Sequence, residues 1–167
     1  TAGSQMRYVA NLYQVYALSG SSVKLGLTGF FQALPCLLFG LFGGVVADVF
    51  DRKKLIVITQ VSNMLPGLAL GVLTAMGAIQ VWHIYLLSVL SSLVDVFSWP
   101  ARFAIVPGLV PRSHLMNAVT LNSMVLQSSF LVGPAIAGVM IDYFGLSPAY
   151  FVSAGSLVPA ALAVLAL

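Results

Sequence analysis

Charge is what this sequence has least of. Seven basic and four acidic side chains make up 7% of 167 residues, where a soluble domain carries roughly 25%. So few polar groups cannot cover a globular surface, and a soluble fold is excluded. A disordered chain is excluded for the opposite reason, since it needs low hydrophobicity and high charge, and this one is 60% hydrophobic with a mean hydropathy of +1.03. Cysteine is almost absent too. Cys36 stands alone, which excludes an internal disulfide or a zinc cluster and predicts a small buried hydrophobe. No G-x-x-x-x-G-K phosphate cradle, metal-ligand cluster or nucleophile–base pair occurs, so neither ATP drive within this stretch, nor a cofactor or metal, nor an enzyme is expected. The formal charge of +3 comes from bases too few and dispersed to track phosphates, and nucleic acid is not an expected partner.

Long apolar runs are what the sequence does have, and they point to the lipid bilayer as solvent. A membrane-spanning helix needs about 20 mostly apolar residues. Leu25–Ala47, Leu55–Ala78, Leu115–Ile141 and Leu146–Leu167 contain no charge at all, and Trp82–Val110 carries only Asp95 and Arg102. Thr1–Ser19, with Arg7 inside it, is a sixth candidate. Barrel strands would be about ten residues of alternating polarity, a pattern these runs lack. The prediction is an all-α membrane bundle of six spans, interrupted by prolines at 35, 66, 100, 107, 134 and 159. Thr1 is not a methionine and Leu167 falls within an apolar run, so residues 1–167 are expected to be one domain of a longer protein.

Basic residues predict the orientation. Arg52, Lys53, Lys54 and Arg112 fall in loops on one side, and Lys24 alone falls opposite, with Asp142. The positive-inside rule then places the Asp48–Lys54 loop and the N-terminus in the cytoplasm. Trp82, His83 and Tyr85 come to the outer interface, where amphipathic rings are favoured.

A repeat lies within this pattern. "LFGGVVADVFD" (41–51) and "AIAGVMIDYFG" (135–145) match at Gly44/Gly138, Val45/Val139, Asp48/Asp142 and Phe50/Phe144. One segment ends the second run and the other ends the fifth. Three spans separate them, so equivalent ends face opposite sides of the membrane, which predicts a three-plus-three inverted repeat.

Five of the eleven charges crowd into "GGVVADVFDRKK" (43–54). With the leucine that follows, this stretch resembles the motif of the major facilitator superfamily between its second and third helices. Gly44, Asp48, Arg52 and Lys53 match it, and Asp51 replaces the glycine usual before the arginine. That charge-rich variant looks like the exporter branch that includes enterobactin exporters and macrolide-efflux-like proteins. "YQVYALSGSSVKLGLTGFFQALPCLLFGL" (13–41) and "PARFAIVPGLVPRSHLMNAVTLNSMV" (100–125) agree with it. "GPAIAG" (133–138), with Gly133, Pro134 and Gly138, is similar to the fifth-helix antiporter motif, with Ser129 where a glycine is common. The resemblance covers the whole chain, as the N-terminal six-helix half of a twelve-helix transporter. It implies an absent C-terminal half, a small-molecule substrate and a proton or other coupling ion. It also implies ion-driven export of a drug-like or siderophore-like molecule across the bacterial inner membrane. Uptake by the same fold, or a non-transporting membrane scaffold, are the alternatives.

Elementary chemistry supports a latch in that loop. Gly43 and Gly44 permit close helix approach, Asp48 suits a helix N-terminus, and Arg52 suits bidentate pairing with a carboxylate. The competing reading is that the bases only set topology. Deeper in the spans, Asp95 and Arg102 lie seven apart on one helical face, near Ser88, Ser92 and Trp99. Arg7, Asn11 and Gln14 share a face of the first run. An ionisable residue at depth costs about 2.5–3.5 kcal/mol on insertion scales and is a functional candidate by default. These two stripes are expected to face a central cavity, or else to form a structural Arg7–Asp95 or Arg102–Asp95 pair. Asn117, Asn122, Ser123 and Gln127 are expected to hydrogen-bond across helices.

Overall fold

In the computed structural model, residues 2–165 are described. The side chains of residues 45, 47–49, 52, 106–109, 112 and 165 lie outside that description. The chain forms α1 (Ala2–Ser19), α2 (Ser22–Val49), α3 (Arg52–Ala75), α4 (Val81–Leu109), a 3-10 turn (Arg112–His114), α5 (Leu115–Phe144), α6 (Leu146–Gly155) and α7 (Leu157–Leu165). No strand occurs among the described residues. The sixth run is thus two helices, broken at Ser156, and together they make one crossing-length segment.

Five segments are long and apolar enough to cross a membrane: Ser22–Gly44, Lys53–Ala75, Val81–Ile105, Leu115–Phe144 and Leu146–Val164. α1 is not among them, because Arg7, Asn11 and Gln14 lower its hydropathy. Those three side chains are all at least 95% buried, turned into the bundle. An 18-residue helix is about 27 Å long, so α1 still runs nearly the depth of the bilayer core beside its neighbours.

The prolines do not break their helices. α2, α3 and α5 continue through Pro35, Pro66 and Pro134, and α4 through Pro100 and Pro107, as membrane helices can when surrounding groups re-satisfy the backbone. Tight turns do the reversing. Gly20, Gly77 and Gly145 take positive φ at three of them. At another, Asp51 caps α3, its Oδ1 accepting from the backbone N–H of Lys53 (3.0 Å) and Lys54 (3.3 Å). The replacement of a glycine by aspartate there therefore satisfies two orphan donors of a helix start.

Packing has the symmetry of the internal repeat. α4 packs on α2 and α3, α1 packs on α5 and α6, and α3 packs on α6 and α7. Exchanging the first three spans for the last three maps these pairings onto one another. Of the four glycines expected to permit close approach, two make it, Gly43 and Gly133. A Cβ on Gly43 would collide with the Val96 carbonyl of α4, and one on Gly133 would lie 2.6 Å from Gln5 Cβ and 2.8 Å from the Ala2 carbonyl oxygen of α1. Gly44 and Gly138 have nothing within 4 Å of such a Cβ, so tight packing there is not their role in this conformation.

α5 departs from expectation. Asn117, Ser123 and Gln127 are exposed and Asn122 is half-buried. Ser123 donates to its own helix at Val119, and among the described residues none of the four reaches another helix. Only Ser129, Gly133 and Ala137 of α5 are buried, so those four polar side chains lie off its packed face.

Candidate functional site

A cavity of about 510 Å³ opens between α1, α2, α4 and α5. Arg7, Asn11, Asp95 and Arg102 line it, brought together from α1 and α4 by the two helical stripes. Gln14 does not. Serines at 88, 91, 92 and 98 continue the α4 stripe, while Tyr8, Trp99 and Phe130 supply aromatic walls. Cys36, expected to be buried, is exposed and borders this cavity. Few residues of α2 are buried by other helices, and Cys36 is on the part that faces the cavity.

The charges are joined by an intermediary that sequence inspection passed over. Arg7 donates from Nη1 to the Asn63 backbone carbonyl at 2.7 Å and from Nη2 to Asn63 Oδ1 at 3.2 Å. Asn63 Nδ2 in turn donates to Asp95 Oδ1 at 2.8 Å. The amide thus gives its oxygen to the cation and its nitrogen to the anion, spanning α1, α3 and α4. This relay takes the place of the direct Arg7–Asp95 pair. Arg102 lies within electrostatic reach of Asp95 but hydrogen-bonds Ser98 Oγ through Nε at 3.0 Å. Its terminal nitrogens have no partner among the described residues.

A second polar cluster lies beside the cavity. The Tyr150 hydroxyl, fully buried on α6, is 3.0 Å from Asn11 Oδ1 and 2.8 Å from Gln14 Oε1, and its one hydrogen serves that pair. Asn11 Nδ2 donates to Ser88 Oγ at 3.0 Å, and Gln14 Nε2 donates to Thr74 Oγ1 at 2.9 Å. Gln14 is therefore a tie between α1, α3 and α6. At the end of α4 nearby, the Tyr85 hydroxyl donates to the Lys24 carbonyl of α2 at 2.8 Å. Trp82 Nε1 donates to Gln80 Oε1 at 2.7 Å, and His83 Nδ1 accepts from the Gln80 N–H.

Asn63 was legible in principle. Gln60, Asn63 and Thr74 recur at helical spacing along an otherwise apolar run, a polar stripe without charge. Tyr150 has no such signal, since a lone tyrosine near a span end reads equally as an interfacial ring. In the loop between α2 and α3, Lys53 is exposed, while the side chains of Asp48 and Arg52 lie outside the described residues. A latch contact is therefore a matter for experiment.

An apolar helical bundle around a cavity lined by charged, serine and aromatic side chains is consistent with part of a major-facilitator-type fold, and the comparisons agree. The chain belongs to the family described as transmembrane secretion effectors, whose model matches residues 1–167. It is 28% identical over 141 residues to the uncharacterized MFS-type transporter YfiS of Bacillus subtilis strain 168, covering 84% of this chain and 33% of that one. It is 32% identical over 125 residues to the staphyloferrin A transporter of Staphylococcus aureus, covering 74% of this chain and 32% of the other. Macrolide efflux protein A of Streptococcus pyogenes is 25% identical over 144 residues, covering 86% and 36%. The chain thus spans about a third of the length of the curated relatives it matches. These relatives are transporters rather than enzymes. No solved structure matches it.

Proposed function

We propose that the whole protein is a secondary transporter of the bacterial inner membrane that exports a small amphipathic molecule by alternating access, with residues 1–167 as its N-terminal half. One observation carries the reading: a cavity lined by the half-buried carboxylate of Asp95, by Arg7 and Arg102, and by aromatic walls. Such a lining suits a molecule with both polar and apolar surface. The efflux activity in the name of a relative supports the outward direction. The Lys53–Lys54 loop faces the cytoplasm in this reading.

Asp95 is the coupling group of this half. It is the one aspartate placed well inside a span, since Asp48, Asp51 and Asp142 lie at helix ends. A carboxylate held by Asn63 in one state and released in another binds a proton differently in the two, which is what coupling to a gradient requires. The test is the full-length protein in proteoliposomes with a compound panel and an imposed proton gradient. Export that stops when the gradient is collapsed, and that loses its pH dependence in Asp95→Asn, is expected. Gradient-driven export surviving that change would make Asp95 structural. Net accumulation of substrate would reverse the direction.

A further inference from the structure

Three charged side chains line the cavity of about 510 Å³ among the described residues, and they differ in how they are partnered. Arg7 and Asp95 share the Asn63 amide, so each already has a hydrogen-bonded complement. Arg102 has less. It commits Nε to Ser98 and leaves its terminal N–H groups without a partner among the described residues. Two arginines against one aspartate also leave this lining with a formal charge of +1. Gln32 of α2 and Ser92 of α4 line the same cavity, and neither side chain has a hydrogen-bond partner among the described residues.

An arginine at membrane depth is expensive and is normally paired; the free donors of this one border a cavity. A cation would meet a lining of its own sign, and a neutral molecule would leave the guanidinium charge without a counterpart. We propose that Arg102 is the substrate anchor of the transport site and selects an amphipathic anion. The oxyanion accepts from the terminal N–H groups of Arg102, whose planar fork suits bidentate contact. The apolar or aromatic body packs on Trp99 and Phe130, and Gln32 and Ser92 serve hydroxyl or amide groups along it. Arg102 and Trp99 also border a smaller cavity of about 260 Å³, whose other walls are apolar except at Gln60 and Asn122. Only the larger cavity has the volume of a small-molecule site, and the anion belongs there. This names a substrate class for the transport reading, on which its use in export rests.

Phenylbutyrate, phenylbutyramide and phenylbutylamine are matched probes, sharing a carbon frame that ends in an anion, a neutral amide or a cation. Each is titrated by calorimetry at neutral pH into purified full-length protein in phosphatidylcholine nanodiscs, with uptake by empty nanodiscs subtracted and no gradient present. The acid is expected to bind at least about tenfold more tightly than the amide, as a hydrogen bond to a charged group implies, and the amine more weakly than either. Arg102→Gln should bring the acid down to the amide while leaving the amide little changed, which also reports that the variant is folded. Cys36→Trp, which narrows the larger cavity from an exposed position, should weaken the acid. Leu126→Trp, which fills the smaller cavity alone, should not. Displacement of the acid by a soluble short-chain phosphatidylglycerol, and not by short-chain phosphatidylcholine, assigns the natural occupant to a lipid headgroup. Displacement by neither assigns a free solute, and displacement by both overturns the selection of an anion. The anchor is also overturned by an acid that does not bind or binds no better than the amide or the amine. A preference that survives Arg102→Gln, or binding that is lost in Leu126→Trp and kept in Cys36→Trp, overturns it equally. Because binding is read without transport, either reading can fail while the other stands.

Discussion

Arg7 and Asp95, opposite charges 88 positions apart in the chain, meet through the amide of Asn63. Neither charge is left alone in a low-dielectric bundle, and neither is locked into the short ion pair that would be hardest to break. A neutral relay holds the two groups in register and can be released by one rotation of a side chain.

Replacing that relay tests it. Asn63→Leu leaves a cation and an anion without their shared partner, and the expected loss is about 2–3 kcal/mol. Thermal unfolding of the full-length protein in detergent reads this as a lowered midpoint, while Leu65→Ala, on an exposed face of the same helix, should shift it little.

The Tyr150 hydroxyl is the next test. Tyr150→Phe keeps the ring and removes the tie to Asn11 and Gln14, at an expected cost of about 1 kcal/mol, typical of polar contacts between membrane helices. Tyr150→Ala should cost several times more, because a fully buried ring leaves a cavity. Equal losses in the two would mean that the hydroxyl contributes nothing.

Helix contact at Gly133 separates two glycines of one motif. Gly133→Ala must push α1 from α5 and is expected to cost about 1–3 kcal/mol. Gly138→Ala meets open space and should be near neutral for folding. Unfolding midpoints of the two variants should therefore diverge, and a transport defect in Gly138→Ala with unchanged stability would point to a contact made in another conformation.

For the latch, Asp48→Asn is expected to leave membrane insertion intact and to impair transport, because the loss falls on one conformational state. Cross-linking across the two faces of the full-length protein reads the inward/outward balance. An unchanged balance with full transport would leave the loop a topological role alone.

Much of this was readable beforehand, and the reasons differ by element. Span count and class follow from run length and scarcity of charge, which is a solvent argument and needs no tertiary detail. Arg7, Asn11, Asp95 and Arg102 could be grouped because a polar residue in lipid must turn inward, and helical spacing then says which ones turn together. Where the reasoning failed, packing decided. Cys36 is apolar enough for a core but lies on a helix few of whose residues are buried by others, on the part that faces the cavity. The polar residues at the start of α5 are spaced as well as those of α1, yet they lie off its packed face. Nothing local distinguishes Gly43 from Gly44; only the position of Val96 on another helix does.

The partners of α1 have a consequence for how the protein is made. Arg7 waits for Asn63, Asn11 for Ser88, and both Asn11 and Gln14 for Tyr150, separations of 56, 77, 139 and 136 residues. α1 is made before every helix that supplies those partners, and its polar groups wait longest to be satisfied. At about 5–20 residues per second, the interval before Tyr150 appears is roughly 7–28 seconds. During that time α1 must be sheltered by the insertion machinery or by water at its edge. The most polar helix of the bundle is a nascent segment whose solvent arrives late, and its residence in the bilayer depends on sequence not yet translated.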